Sequence, residues 1–283
     1  SRHEWHHFVS KLEAERIVPG VQGVGFLALI RPEALAAHAA GVRAEGFADY
    51  QVWPAGSRDS YAPVVYLEPL AGLNLRAFGY DVLSEPVRRA ALERARDTGL
   101  PALSGKVTLV QETGSNPQPG MLMFVPVYKR DLPTGTVEQR RLALLGWAYS
   151  PYRMNDFMTG ILHGWESSDG RYVDLHIYDG LDAMPANSLF DGEVHSKHLA
   201  DAPFFQQRRV EFYGHAWLLE FDRLPSAPDL DYQLVWLVFF GGIAFSGLLH
   251  LLLAACFFPR DGKTCSVIGT TRSVIHWMNG PRA

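Results

Sequence analysis

"FGYDVLSEPVRRAALERARDTG", Phe78 to Gly99, is the stretch from which the rest of the chain can be read. Its second half predicts a helix. Ser84 stands as N-cap, Glu85 and Pro86 fall in the first turn, Val87, Ala91 and Ala95 recur at helical spacing, and Gly99 stops the helix. Its first half sets a lone carboxylate, Asp81, among Phe78, Tyr80, Val82 and Leu83. A buried carboxylate without partners costs several kcal/mol, so Asp81 needs some. It can close an Asx-type turn by accepting from the backbone N–H groups of Val82 to Ser84, a contribution of about 1 kcal/mol. It can instead face a cavity and take N–H donors from a small ligand. Phe78 and Tyr80 suit stacking on a flat heterocycle, and equally suit an ordinary core. Both solutions stay open at this level.

Outward from this stretch the pattern is mixed. Residues 1 to about 16 are polar and helix-compatible. Pro19 to Pro32 predicts a buried strand, and Glu33 to Glu45 an alanine-rich helix that ends before Gly46. "FADYQVWPA" alternates as a half-buried strand should, and "YAPVVYLEP" and "LNLRAFGYD" are strand-like or extended. "ALSGKVTLVQE" and "PGMLMFVPVYK" follow, separated by the turn signal "TGSNPQPG". Arg130 to Gln139 is polar and predicts a linker between subdomains or a hairpin loop. A smaller second unit is expected beyond it, with strand "LALLGWAYSP", helix "YRMNDFMTGILHGW" and strands near "RYVDLHIYDG" and "RRVEFYGHAWLLEF". Each unit reads strand, helix, several strands, which is an α+β arrangement on antiparallel sheet.

Gln233 to Phe258, "QLVWLVFFGGIAFSGLLHLLLAACFF", carries no Asp, Glu, Lys or Arg. About 26 residues at about 1.5 Å each make roughly 39 Å of helix, against a hydrocarbon core of about 30 Å. Tyr232 and Trp236 stand near one end, Asp229 and Asp231 precede it, and Arg260 and Lys263 follow. The positive-inside rule then makes the C-terminal end cytoplasmic and places residues 1 to about 230 outside. The competing reading is the buried core helix of a soluble protein, usually about half this length. Gly241, Gly242, Ser246 and Gly247 would let two such helices approach closely, and His250 either packs or makes a polar contact between helices.

A net charge of -4 and a pI near 6.2 exclude the dense basic patch that nucleic acid selects. The two cysteines, Cys256 and Cys265, lie near the C-terminus, so no disulfide forms within the first 255 residues. That suits a bacterial periplasmic or a cytosolic domain better than a eukaryotic secreted module. The chain starts at Ser1 without a start methionine or signal peptide, and is expected to be a trimmed piece.

"PGVQGVGF", "RDSYAPVVYLEP", "GYDVLSEPVRRAALERARDTG", "ALSGKVTLVQE" and "MLMFVPVYK", in order from Pro19 to Lys129, together resemble the CHASE domain, a sensory module of bacterial and plant membrane receptors. The resemblance implies two stacked PAS-like subdomains on an N-terminal stalk helix, an earlier membrane span, and a ligand outside that biases a cytoplasmic output domain. In the plant cytokinin receptors of this family an Asp matching Asp81 accepts from adenine. The backbone of a Leu matching Leu103 and a Thr matching Thr113 also contact the ligand. The expected division is then 1–16 stalk, 17–132 membrane-distal subdomain, 133–228 membrane-proximal subdomain, 229–259 transmembrane helix and 260–283 cytoplasmic tail. The expected ligand site is Asp81, Leu103, Thr113, Phe78 and Tyr80. The expected partners are a small, adenine-like ligand, the inner membrane and a second copy in a homodimer, with no cofactor.

Catalytic alternatives are thin. "DGKT", Asp261 to Thr264, ends like a phosphate loop, but Phe257 stands where its first glycine belongs. His195 and His198 have metal-like spacing without further ligands, and Ser188 and Ser196 lack a nucleophile elbow. His276 lacks the setting of a phosphoacceptor. The tail after the span is too short to fold as an output domain. The competing function is a membrane-tethered periplasmic enzyme such as a hydrolase, which needs a nucleophile–base set or metal ligands in a cleft.

Overall fold

A computed structural model describes residues 1–12, 19–113, 117–162, 173–192, 205–223 and 232–257. The chain divides into two compact units, residues 1–227 and 228–283.

The first unit is α+β with two antiparallel sheets. Helix α1 (Arg2–Leu12) precedes β1 (Val24–Ala28), α2 (Leu35–Ala44) and β2 (Val64–Glu68). Helix α3 (Pro86–Thr98) leads to β3 (Ala102–Leu103), β4 (Val107–Thr108) and β5 (Pro119–Tyr128). Helix α4 (Val137–Ala143) joins β5 to β6 (Leu144–Arg153). The six strands form one sheet in the order β2-β1-β6-β5-β3, with β4 also on β5. Helix α5 (Met154–Leu162) then leads to the second sheet, β7 (Val173–Asp179), β8 (Ser188–Asp191), β9 (Phe205–Phe212) and β10 (His215–Arg223), ordered β8-β7-β10-β9.

Two sequence expectations are corrected, and the Arg130 stretch resolves to its hairpin-loop alternative. The strand at 144–153 is the centre of the first sheet, paired to both β1 and β5, so the break between sheets falls after Arg153 and not at 132. The polar stretch from Arg130 is the β5–β6 connection, and a Thr136 capping box turns its end into α4. Residues 47–55 and 73–81 are not strands. The first pairs with Tyr80 through an isolated bridge at Trp53, and the second forms a 3-10 turn over Gly72–Ala77.

Helix α3 seats the stretch from which the reading began. Its buried face is Arg88, Ala91, Leu92 and Ala95, at i, i+3, i+4 and i+7. Val87 is exposed, because Pro86 starts the helix one residue later than a Ser84 cap requires. The cap is Glu85, whose carboxylate accepts from the N–H groups of Val87 and Arg88, both at 2.9 Å. Ser84 donates its hydroxyl to the Asp81 carbonyl instead. Gly99 ends the helix at φ 75°, donating its N–H to Ala95 O at 3.0 Å. Leu92 is fully buried, a contribution of about 1.5–3 kcal/mol, and its carbonyl accepts from the Trp147 indole at 3.0 Å. Ala91 and Ala95 let the helix lie close on β5 and β6 in a core that includes Leu122, Phe124 and Trp147.

Residues on β5 alternate. Leu122 and Phe124 join that core, while Met121 and Met123 turn to the opposite face. There they meet Met154 and Met158 of α5 and the second sheet through Leu175, Ile177, Leu189 and Trp217.

The second unit has one described element, helix α6 (Tyr232–Phe257). Over Tyr232–Ala254 its mean hydropathy is 2.1 and none of it is buried, so it is long and apolar enough to cross a membrane.

Candidate functional site

Asp81 is fully buried. Its Oδ1 accepts from Ala62 N–H at 2.7 Å and from Leu83 N–H at 3.2 Å. The local Asx-type bond of the sequence reading is therefore present, from Leu83. The stronger partner comes from residue 62, nineteen positions earlier, across the isolated bridge between Pro63 and Asp81. Oδ2 has Arg58 Nη1 at 3.3 Å, an ion pair without hydrogen-bond alignment. Burial pushes the Asp81 carboxyl above its ordinary range, against the pull of the Ala62 N–H, the Arg58 charge and the Leu83 N–H.

Arg58 opens a polar cleft of about 320 Å³, lined by Ser57, Arg58, Asp59, Ser60, Leu83, Arg89 and Glu93. Arg89 donates Nε to Leu83 O at 2.7 Å, which fixes a second cation beside the Asp81 turn. The cleft thus ends at an ion pair whose inner member is a buried carboxylate.

On the other side of the turn, Tyr80 and Val82 line a cavity of about 20 Å³ with Arg88, Gln111 and Tyr149, room for little more than one water. Arg88 is buried. It donates to Thr108 O at 2.7 Å and to the Tyr80 hydroxyl at 3.3 Å, and its guanidinium lies 5.5 Å from the Tyr80 ring centroid. Tyr80 also packs edge-on against Trp53 at 4.9 Å. Phe78 lies against Tyr50 at 4.8 Å and Phe47 at 5.0 Å, with the Arg2 guanidinium 5.4 Å away.

The five residues expected to form one site are therefore distributed. Leu103 is buried on the opposite face of the first sheet, its N–H donating to Tyr213 O at 3.3 Å and its carbonyl accepting from Arg94 at 3.3 Å. Thr113 is exposed. Only Tyr80 and Asp81 adjoin; Tyr80 lines the small cavity, and Asp81 reaches the polar cleft only through Arg58. The residues that sequence reasoning passed over are Arg58, Arg88 and Arg89. The signal was a run of cations on both sides of an isolated apolar carboxylate.

The second sheet holds its own polar group. His176 Nδ1 is 2.7 Å from Asp191, and its Nε2 is 3.5 Å from Asp174 and 3.7 Å from Asp222. The Asp174 hydrogen bond, outweighing burial, raises the His176 imidazole above its ordinary value. Among the described residues no group of three or more His, Cys, Asp or Glu is arranged to hold a metal ion. His195, His198, Ser196, the "DGKT" stretch, Cys265 and His276 lie outside the described residues.

The described residues thus form a two-sheet α+β unit and a helix long and apolar enough to cross a membrane. The sequence pattern of the CHASE domain matches residues 1–190, and the chain belongs to that family. Two relatives bear this out. A hybrid signal transduction histidine kinase A of Dictyostelium discoideum is 27% identical over 140 residues, 48% of this chain and 6% of that protein. A histidine kinase 2 of Arabidopsis thaliana is 26% identical over 157 residues, 53% of this chain and 12% of that protein. The chain thus spans only a small part of the length of either relative.

Proposed function

We propose that the chain is the ligand-sensing portion of a membrane signalling receptor, lying outside the cytoplasm and joined through α6 to an output domain inside. The observation that carries this is family membership over residues 1–190, in a chain whose later helix Tyr232–Phe257 carries no Asp, Glu, Lys or Arg. The positive-inside pattern supports the orientation. The kinase activity in the relatives' names belongs to those proteins; here it indicates the kind of output such a module would drive.

The ligand reading centres on Asp81. Its Oδ2 is held by one loosely aimed cation, and that cation lines a cleft at the small end of the roughly 300–1,000 Å³ range of small-molecule sites. A small polar molecule with N–H donors, adenine-like among others, would take the place of Arg58 in a charge-assisted pair with Asp81. Arg58, Arg89, Asp59 and Glu93 would then bind its remaining polar edge. Ligand-bound and free forms would differ in where Arg58 sits, and the difference would bias how two PAS-like subdomains pack in a homodimer.

The test is calorimetric titration of the chain in lipid nanodiscs with adenine, N6-substituted adenines and other small amines. Saturable binding that falls at least tenfold in Asp81→Asn, which keeps an acceptor for Ala62 and Leu83, is the expected result. Equal affinities in both proteins would remove Asp81 from the site.

A further inference from the structure

The face of the first sheet away from Asp81 encloses a second, larger space. Met121 and Met123 form its floor, Leu175 and Ile177 of the second sheet its far wall, and Trp217 closes one side. Its volume is about 480 Å³, well inside the small-molecule range. Among the described residues no Asp, Glu, Lys, Arg or His lines it, and the polar side-chain groups there are the Tyr152 and Tyr213 hydroxyls and the Trp217 indole. Water within it would find few partners. A helix about 10 Å across would fill that volume in about one turn, so the space does not suit a peptide helix. The absence of charge equally disfavours nucleotides, amino acids and sugar phosphates.

Tyr213 marks its mouth. It sits with Gly214 in the tight turn between β9 and β10, at φ 44° and 72°, and is the one non-glycine residue with positive φ among the described residues. Such turns favour Asn-Gly, so a tyrosine here is held against its backbone preference. Its carbonyl accepts from Leu103 N–H, which pins the hairpin tip to the first sheet beside the cavity.

We propose that this inter-sheet cavity, with Tyr213 as its lip, is a binding site for a neutral, largely hydrocarbon small molecule. It is independent of the polar cleft beside Asp81, which is lined from the other face. Occupancy would fill the gap between the two sheets and fix their spacing, so the site is placed to modulate whatever the first face senses.

The test uses the intact chain in lipid vesicles and a neutral photoreactive probe, 3-phenyl-3-trifluoromethyldiazirine, with labelled peptides mapped by mass spectrometry. Peptides carrying Met121, Met123 and Met158 should label saturably and be protected by excess neutral hydrocarbon alcohol, while α6 labels in proportion to probe concentration. Ile161→Arg puts a charge at an exposed rim position. It should lower cavity labelling at least fivefold and leave α6 unchanged. Tyr213→Asn relaxes the turn and removes the aromatic lip, so the chain should be no less stable while cavity labelling falls at least threefold. A lip with a purely structural role would show only the stability change, which overturns its part in the site. Cavity peptides labelled no more than the α3 peptide that carries Ala91 and Leu92 on the packed face, or labelling unchanged in a folded Ile161→Arg protein, overturns the proposal.

Discussion

Strand β5 presents two faces to two neighbours, and only one of them is filled. Leu122 and Phe124 meet Ala91, Leu92 and Ala95 of α3, with Trp147 from the adjacent strand, and leave almost no void. Met121 and Met123, one residue out of phase, meet a second sheet and leave about 480 Å³. Alternation along the strand sorts side chains between faces, but the partner layer decides how much room remains. A helix with alanines at its contact positions closes on a sheet. Two sheets bridged by unbranched methionines do not, and methionine is the apolar side chain that adapts most readily to a changing filling.

That contrast predicts the largest effect. Phe124→Ala should cost about 3–5 kcal/mol, because its surroundings are close-packed and a cavity would remain. Met123→Ala, one residue away, should cost about 1 kcal/mol, because its side chain already borders empty space. Urea midpoints of the two variants, followed by circular dichroism, measure the difference. Equal costs would mean that the second face is as tightly packed as the first.

The next effect belongs to Asp81. Asp81→Ala strands two buried N–H groups, at about 1–3 kcal/mol each, and leaves Arg58 unpaired. A loss of about 2–4 kcal/mol is expected, and Asp81→Asn should lose less than half of it. The pH dependence has a definite sign. Burial raises the folded pKa of Asp81 above its unfolded value, so the native state holds this proton longer. The stability linked to it is full below the unfolded pKa and is lost as pH rises through the folded one. Asp81→Asn, which cannot ionise, should therefore gain on wild type as pH climbs through the carboxylate range. A gain on acidification instead would mean that Arg58 controls the group more than burial does.

His176 offers the counterpart in the second sheet. Its folded pKa is also raised, here by the Asp174 hydrogen bond before all else. Its contribution is present below the unfolded histidine value and fades as pH rises through the folded one. The stability of wild type should therefore decline as pH rises above the ordinary histidine value, and His176→Gln should flatten that decline without altering the acidic-range behaviour of Asp81. The two sheets would then titrate in separate windows, readable from one set of pH-dependent melting curves.

How much of this the sequence could disclose depended on whether local rules decided the outcome. The end of α3 at Gly99, the run of β5 and the long apolar helix α6 were legible, since left-handed caps, alternation and uninterrupted apolarity are local properties. Ser84 was misread as a cap because two capping residues compete within two positions, and Pro86 settles the choice for Glu85. The alternation of 47–55 has the look of a strand, yet Asp81 N–H and Gly79 N–H spend their bonds on Trp53 and Val64 rather than in a continuous ladder. The placement of β6 depends on pairing with β1, over 100 residues earlier, which no local pattern encodes. Asp81 was legible as an anomaly, but its partners were not, because Ala62 and Arg58 reach it only after the chain has folded back.

The smallest effect tests whether charge pairing at the surface matters as it does at Asp81. Asp97 sits between Arg96 at 2.6 Å and Arg141 at 2.7 Å, and their hydrogen bonds hold its carboxyl well below the usual range. The sign is opposite to that of Asp81: this stability is present above the unfolded pKa and is lost as pH falls. The pairing geometry is better than that of Asp81, yet the Asp97 side chain keeps 26% of its exposure and Arg141 53%, so water and salt screen the pair. Asp97→Asn should cost less than about 1 kcal/mol, and the loss should shrink further in 1 M salt, which leaves the effect of Asp81→Asn nearly unchanged. Chemical denaturation at two salt concentrations separates them. If both variants responded to salt alike, Asp81 would be in contact with solvent through the Arg58 cleft, and the buried ion pair that distinguishes the first sheet would have to be redrawn as an open one.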